Sequence, residues 1–186
     1  AAYQAQLPQP IESAHPFKVY LFADREQWKF FTWDFAGGDA AAYLRIRKGA
    51  YALKGACVAF YIGPRRTFSA LGHEGWHQFI GRHSAYRLPS WLDEGIATQF
   101  ESFRQVGGRF EFLPDRNTFR IGMLRNALET STFMPLSELL LLNPGRVMED
   151  TESLMAFYSQ AYALVRFLQE DTSGRYAPAY RAMLLD

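Results

Sequence analysis

The chain has one cysteine in 186 residues, Cys57, so it can form no intrachain disulfide. Cys57 sits in the apolar run Ala56-Cys57-Val58-Ala59-Phe60, where a thiol reads as a small buried hydrophobe rather than a nucleophile. Net charge is nearly absent as well: 20 Lys and Arg against 19 Asp and Glu leave +1. That balance gives no electrostatic reason to expect nucleic acid or an anionic membrane as partner. No apolar run approaches the roughly twenty residues needed to span a bilayer, so no transmembrane segment is expected. No secretory leader is visible either, and the polar start Ala1 to Pro10 carries no methionine; it reads as a mature terminus or a boundary. Repeats, low-complexity tracts, a phosphate loop and a Ser-His-Asp arrangement are all lacking. What remains is a chain 48% hydrophobic and 16% aromatic, enough for one domain with an aromatic-rich core.

Along the chain, residues 1–16 read as an extended lead-in that includes the loop residue His15, and 17–186 as a single domain. Phe17 to Phe22 is a strand candidate, rich in aromatic and branched residues. Asp24 with Gln27 three later makes a capping-box-like start to a helix reaching about Phe35. Its aromatics Trp28, Phe31 and Phe35 recur at helical spacing and read as core. Tyr43 to Ile46, Tyr51 to Leu53 and Cys57 to Ile62 are further strand candidates, the last closed by Gly63-Pro64. Thr67 reads as the cap of a helix to about Gly81, followed by a helix from Pro89-Ser90 to about Arg104. Gly107-Gly108 suggests a small hairpin. Helices are expected at about 115–129, 136–142, 152–170 and from 176 onward. The fold class is α+β: a small N-terminal mixed sheet followed by a mostly helical C-terminal half.

The chemistry concentrates in His73-Glu74-Gly75-Trp76-His77. Residues four apart on a helix share a face, so His73 and His77 can aim both imidazoles at one point. Zinc takes nitrogen and oxygen ligands, and catalytic sites leave one position open. Glu74, one step round the helix, is placed to serve as general base. Gly72 and Gly75 each cost about 1 kcal/mol relative to alanine inside a helix, which suggests close packing or a ligand near the backbone. Seventeen positions past His77 stands Glu94, in Trp91-Leu92-Asp93-Glu94-Gly95-Ile96-Ala97. An acidic residue in such apolar surroundings is usually paired or bound to metal. Glu94 is favoured over Asp93 because Ile96, Ala97 and Phe100 define a buried side, while Glu94 shares its stripe with Thr98 and Glu101. Asp93, Thr98 and Glu101 are all candidates to orient the ligating histidines from behind. His83, at the end of the motif helix, reads as a cap on the last carbonyls.

The two motifs together resemble the gluzincin metallopeptidases, zincins with two histidines and a downstream glutamate. The glutamate segment is similar to that of aminopeptidase-N-type enzymes, and Leu88-Pro89-Ser90-Trp91-Leu92 resembles the run preceding the glutamate in small bacterial peptidase-MA-like domains. Phe157 to Leu168 resembles the aminopeptidase-N-type helix whose tyrosine donates to the oxyanion, which by that match is Tyr158; the other reading is a core tyrosine, as for Tyr162. The resemblance implies a zincin-like fold and a zinc-dependent peptidase. Its metal residues would be His73, His77 and Glu94, its catalytic residues Glu74 and Tyr158, and its substrate a peptide or protein. It also implies, with the trimmed-looking start, an exported protein. No counterpart of the Gly-x-Met-Glu-Asn exopeptidase loop is found, and Lys54-Gly55-Ala56-Cys57 occupies that region. The alternative function is a non-catalytic zinc domain that binds a protein or peptide through the same cleft.

Overall fold

The computed structural model describes residues 2–9, 16–46, 49–84, 86–146 and 150–185. The chain divides into two compact units, Glu12–Ala85 and Ala1–Ile11 with Tyr86–Asp186. His15 lies outside the described residues, with Ala1 and the rest of residues 10–15 of the lead-in.

The first unit is a three-stranded sheet with helices. Strands β1 (Lys18–Phe22), β2 (Ala50–Leu53) and β3 (Ala56–Phe60) order as β1-β3-β2. β1 runs parallel to β3, with Val19 opposite Cys57, and β2 runs antiparallel to it, with Ala52 opposite Cys57. The sheet is therefore mixed, as expected. The β2–β3 turn is two residues, Lys54 at φ 49° and Gly55 at φ 72°. Two left-handed residues are what a tight hairpin turn matched to strand twist requires. All five residues of β3 are buried, which fits its central place.

Helix α1 (Arg25–Ala36) is capped by Asp24, whose side chain accepts from the Gln27 amide at 2.9 Å. Trp28 is fully buried and packs with Tyr51, Val58 and Phe60, while Phe31 and Phe35 lean on that cluster. The aromatic spacing read from the sequence is thus a core stripe. Tyr51 donates to Thr32 Oγ1 at 3.1 Å, so the hydroxyl buried among these rings is satisfied.

Tyr43 to Ile46 is not a strand. Residues Ala40–Leu44 form α2, and Arg25 Nη2 holds its end by donating to the carbonyls of Leu44 and Ile46 at 3.0 and 3.2 Å. The three alanines at 40–42 favour a helical turn over the pairing that Tyr43 and Ile46 suggested.

Helix α3 (Pro64–His83) starts three residues before the expected cap. Gly63, at φ 94°, precedes Pro64, and proline suits the first helical position because its missing N–H would have no partner there. Thr67 lies inside the first turn, where its hydroxyl accepts from the Ile62 amide at 3.0 Å and fastens β3's end to the helix.

In the second unit, α4 (Ser90–Ala97) runs into a 3-10 turn, Thr98–Phe100, rather than continuing to Arg104. Strands β4 (Phe103–Val106) and β5 (Arg109–Phe112) follow as an antiparallel hairpin about Gly107 and Gly108, which take φ 56° and 76°. Then come α5 (Thr118–Glu129), α6 (Leu136–Leu141), α7 (Thr151–Glu170) and α8 (Ala177–Ala182). Asn117 caps α5 by accepting from the Arg120 amide, and Asp150 caps α7. Gln4–Gln6 of the lead-in is a single 3-10 turn, and Tyr3 packs edge-on against Phe100 at 4.6 Å.

Helix α4 packs closely on α7. A Cβ on Gly95 would stand 2.5 Å from the Ala161 carbonyl oxygen and 2.5 Å from Val165 Cγ2. Only a glycine permits that approach. The chain is mixed α+β, and no helix among its described residues is long and apolar enough to cross a membrane.

Candidate metal centre

In the first unit, α3 carries His73, Glu74 and His77. The helix is anchored beside the motif by Gln78, itself 4% exposed. Its Nε2 donates to the Lys18 carbonyl at 3.0 Å and to the Gly55 carbonyl at 2.5 Å, pinning the helix to the start of β1 and to the hairpin turn. Trp76, fully buried, lies beside Phe79 with ring centres 5.9 Å apart, and Phe79 meets Phe17 edge-on at 6.3 Å. The rotation of α3 is therefore set by its neighbours, and with it the direction of the motif side chains.

His73 and His77 converge as their i, i+4 spacing requires. Their Nε2 atoms are 3.2 Å apart, and His73 is 9% exposed. Two nitrogens at about 2.05 Å from one tetrahedral ion stand roughly 3.3 Å apart, so this spacing suits two ligands of one metal. Glu74 follows on the same turn, half-buried. Its carboxylate is close enough to Cys57 to act electrostatically, and burial first, then Glu74, pushes the Cys57 thiol well above its ordinary range. Cys57 is accordingly a protonated, inert core residue, as its apolar setting implied. His83 lies in a tilted contact on Phe79 at 4.9 Å, and of the last carbonyls that of Ile80 is met by the Ser84 amide at 2.8 Å.

In the second unit, Glu94 projects from α4 and Tyr158 from α7, both half-buried, on the two helices that Gly95 brings into contact. Ile96 and Ala97 are fully buried and Phe100 nearly so, but Thr98, read from the sequence as sharing the Glu94 stripe, is fully buried too, so burial does not single out one side. Tyr162 is placed differently from Tyr158. Its hydroxyl donates to the Pro114 carbonyl at 2.8 Å, and burial pushes its pKa up, so it serves the core.

Two of the residues considered as outer partners have other bonds. The Thr98 hydroxyl donates to the Gly95 carbonyl at 2.7 Å, inside the turn that ends α4. The Glu101 carboxylate takes both branches of Arg120, from Nε at 2.8 Å and Nη2 at 2.6 Å, and accepts from Asn117 Nδ2 at 3.0 Å. Asn117 Nδ2 also donates to the Thr98 carbonyl at 2.8 Å. This network is nearly dry: the side chains of Arg120 and Glu101 are 10% and 11% exposed. Burial alone would lower the Arg120 pKa, but Glu101 outweighs it, and Tyr158 and Glu94 add to the stabilisation of the cation. Sequence reasoning missed Arg120 and Asn117. A signal existed for Asn117, since asparagine before a helix is a favoured cap; for Arg120 there was none, because its partner is distant in sequence.

The chain belongs to the family described as Protein of unknown function (DUF1570), whose model matches residues 67–183, a span that includes every motif above. No curated protein and no solved structure matches the chain.

Proposed function

We propose that this member of the family is a zinc-dependent peptidase of zincin-like fold, with His73, His77 and Glu94 as metal ligands. The observation that carries the reading is the convergence of His73 and His77, Nε2 to Nε2 at 3.2 Å, with a glutamate between them on the same helix. The donor set fits zinc, which favours imidazole nitrogens with a carboxylate and, with three protein ligands, keeps a position open for catalysis. Bound zinc would supply a water acidified toward neutral pH and polarise the scissile carbonyl.

The protein's own groups do the rest. Glu74 takes a proton from the attacking water and returns it to the departing amine, so one carboxylate serves first as base and then as acid. Tyr158 donates its hydroxyl to the carbonyl oxygen as negative charge develops there. A purely structural metal site has no use for either group. Glu74→Gln keeps the size and hydrogen-bonding reach of the side chain but removes the base. Screening a broad peptide library against the wild type and Glu74→Gln tests the proposal. The expected result is turnover by the wild type and a loss of about 10² or more in kcat in the variant. Turnover that survives the change would remove Glu74 from the mechanism. Saturable peptide binding with stoichiometric zinc and no turnover would favour the non-catalytic binding domain.

A further inference from the structure

The proposed mechanism leaves one buried cation of the second unit unexplained. Arg120 is 8% exposed, and a guanidinium is costly to bury unless paired. Glu101 engages Nε and Nη2, and Asn117 steadies Glu101 from the side. Nη1 is left buried with no hydrogen-bond partner among the described residues. A pair serving only to tie α5 to the end of α4 gains nothing from an unsatisfied donor. What Arg120 does have is aromatic company. Its guanidinium carbon lies 4.8 Å from the centre of the Tyr158 ring and 5.3 Å from that of Phe119. A desolvated guanidinium over a tyrosine face is among the stronger forms of this attraction.

We propose that Arg120, locked by Glu101 and Asn117, is the positioning residue for Tyr158, holding its ring by one face so that the phenolic hydroxyl is kept in a single orientation. The proposal rests on the reading of Tyr158 as the oxyanion donor only for its catalytic consequence; the restraint on the ring stands apart from it. The planar fork matters. Lysine has neither the two-pronged match to Glu101 nor the flat surface that covers a ring, so it would not replace Arg120.

Two readouts test this, the first needing neither metal nor turnover. The protein is labelled with 3-fluorotyrosine at its ten tyrosines, and Tyr158→Phe identifies the Tyr158 signal. In Arg120→Gln the Tyr158 fluorine resonance is expected to shift and narrow as the ring is released, while most other tyrosine signals hold. An unmoved Tyr158 resonance in a folded variant overturns the proposal. Where Arg120→Gln alone does not fold, the pair Glu101→Gln with Arg120→Gln leaves no lone buried charge and gives the same reading. The second readout is a kinetic cycle on the zinc-loaded protein. Arg120→Gln should lower kcat by about 10–100-fold with KM within about twofold, yet change kcat by less than about threefold in the Tyr158→Phe background. Equal losses in both backgrounds overturn the catalytic consequence. A wild type that turns over no peptide sinks the peptidase reading, and the fluorine signal still decides whether Arg120 holds Tyr158.

Discussion

Gly95→Ala is the substitution whose cost the structure fixes most directly. The new Cβ would meet the Ala161 carbonyl oxygen and Val165 Cγ2, each at 2.5 Å. Ordinary contact begins near 3.4 Å, so α4 and α7 must separate by about 0.9 Å or shift along one another. Val165 can change rotamer only within a buried helix face, and the Ala161 carbonyl is backbone and cannot turn away. Overpacking of this kind costs about 1–3 kcal/mol or more, against a gain of about 1 kcal/mol in helix propensity. With both contacts far inside van der Waals range the cost sits at the upper end, so the net expectation is a loss of about 2 kcal/mol, or roughly 4–8 °C in melting temperature. Gly122→Ala on α5 is the matched control. It adds the same methyl group where nothing lies within 4 Å, and should stabilise by about 0.5–1 kcal/mol. Both are read by thermal melts followed by circular dichroism. A Gly95→Ala protein that melts with or above the wild type would refute the close packing of α4 on α7. That packing also sets Glu94 beside Tyr158's helix, so under the proposed zinc function metal affinity should fall in Gly95→Ala and not in Gly122→Ala.

Three further outcomes follow from buried groups. Glu101→Gln strands the buried Arg120 cation without its counterion, which should cost about 3 kcal/mol or more and lower the urea midpoint by about 1 M; an unchanged midpoint would contradict a dry, buried pair. Burial pushes the Tyr180 phenol from 10.0 to about 12, and Tyr51 and Tyr162 are also raised by burial. The folded state then keeps protons that the unfolded chain gives up above pH 10, so stability should be level to about pH 9 and fall by roughly 2–3 kcal/mol from Tyr180 alone between pH 10 and 12. Urea titrations across that range check the slope, and a stability that rises there contradicts it. The Cys57 thiol, fully buried and held protonated, should react with a thiol reagent at pH 8 at under about a hundredth of the rate seen in the unfolded chain, and rapid labelling of native protein would show β3 opening.

Much of this was legible in the residues, for local reasons. The motif helix announced itself by spacing, and the hairpin by two adjacent glycines that the turn places at positive φ. The aromatic stripe of α1 showed its core face because period and residue type agreed. The errors came where two local signals competed. Residues 43–46 look like a strand by composition, but the preceding alanines and the Arg25 side chain close them into a helix end. Thr67 is a good cap by type, yet Gly63-Pro64 starts the helix earlier and leaves the threonine to bind Ile62. Around the candidate site, Glu94 and Tyr158 could be named from motif and resemblance, but Arg120 could not. Its meaning depends on Glu101 and Asn117, which the fold and not the sequence brings to it.

Metal stoichiometry tests the central claim most directly. The protein, stripped by chelator, reloaded with zinc and dialysed, is analysed for metal by plasma mass spectrometry alongside His73→Ala, His77→Ala, Glu94→Ala and Asp93→Ala. The account predicts one zinc per chain in the wild type and in Asp93→Ala, and loss of tight binding in the other three. Less than stoichiometric zinc in the wild type, or full retention in Glu94→Ala, would contradict it.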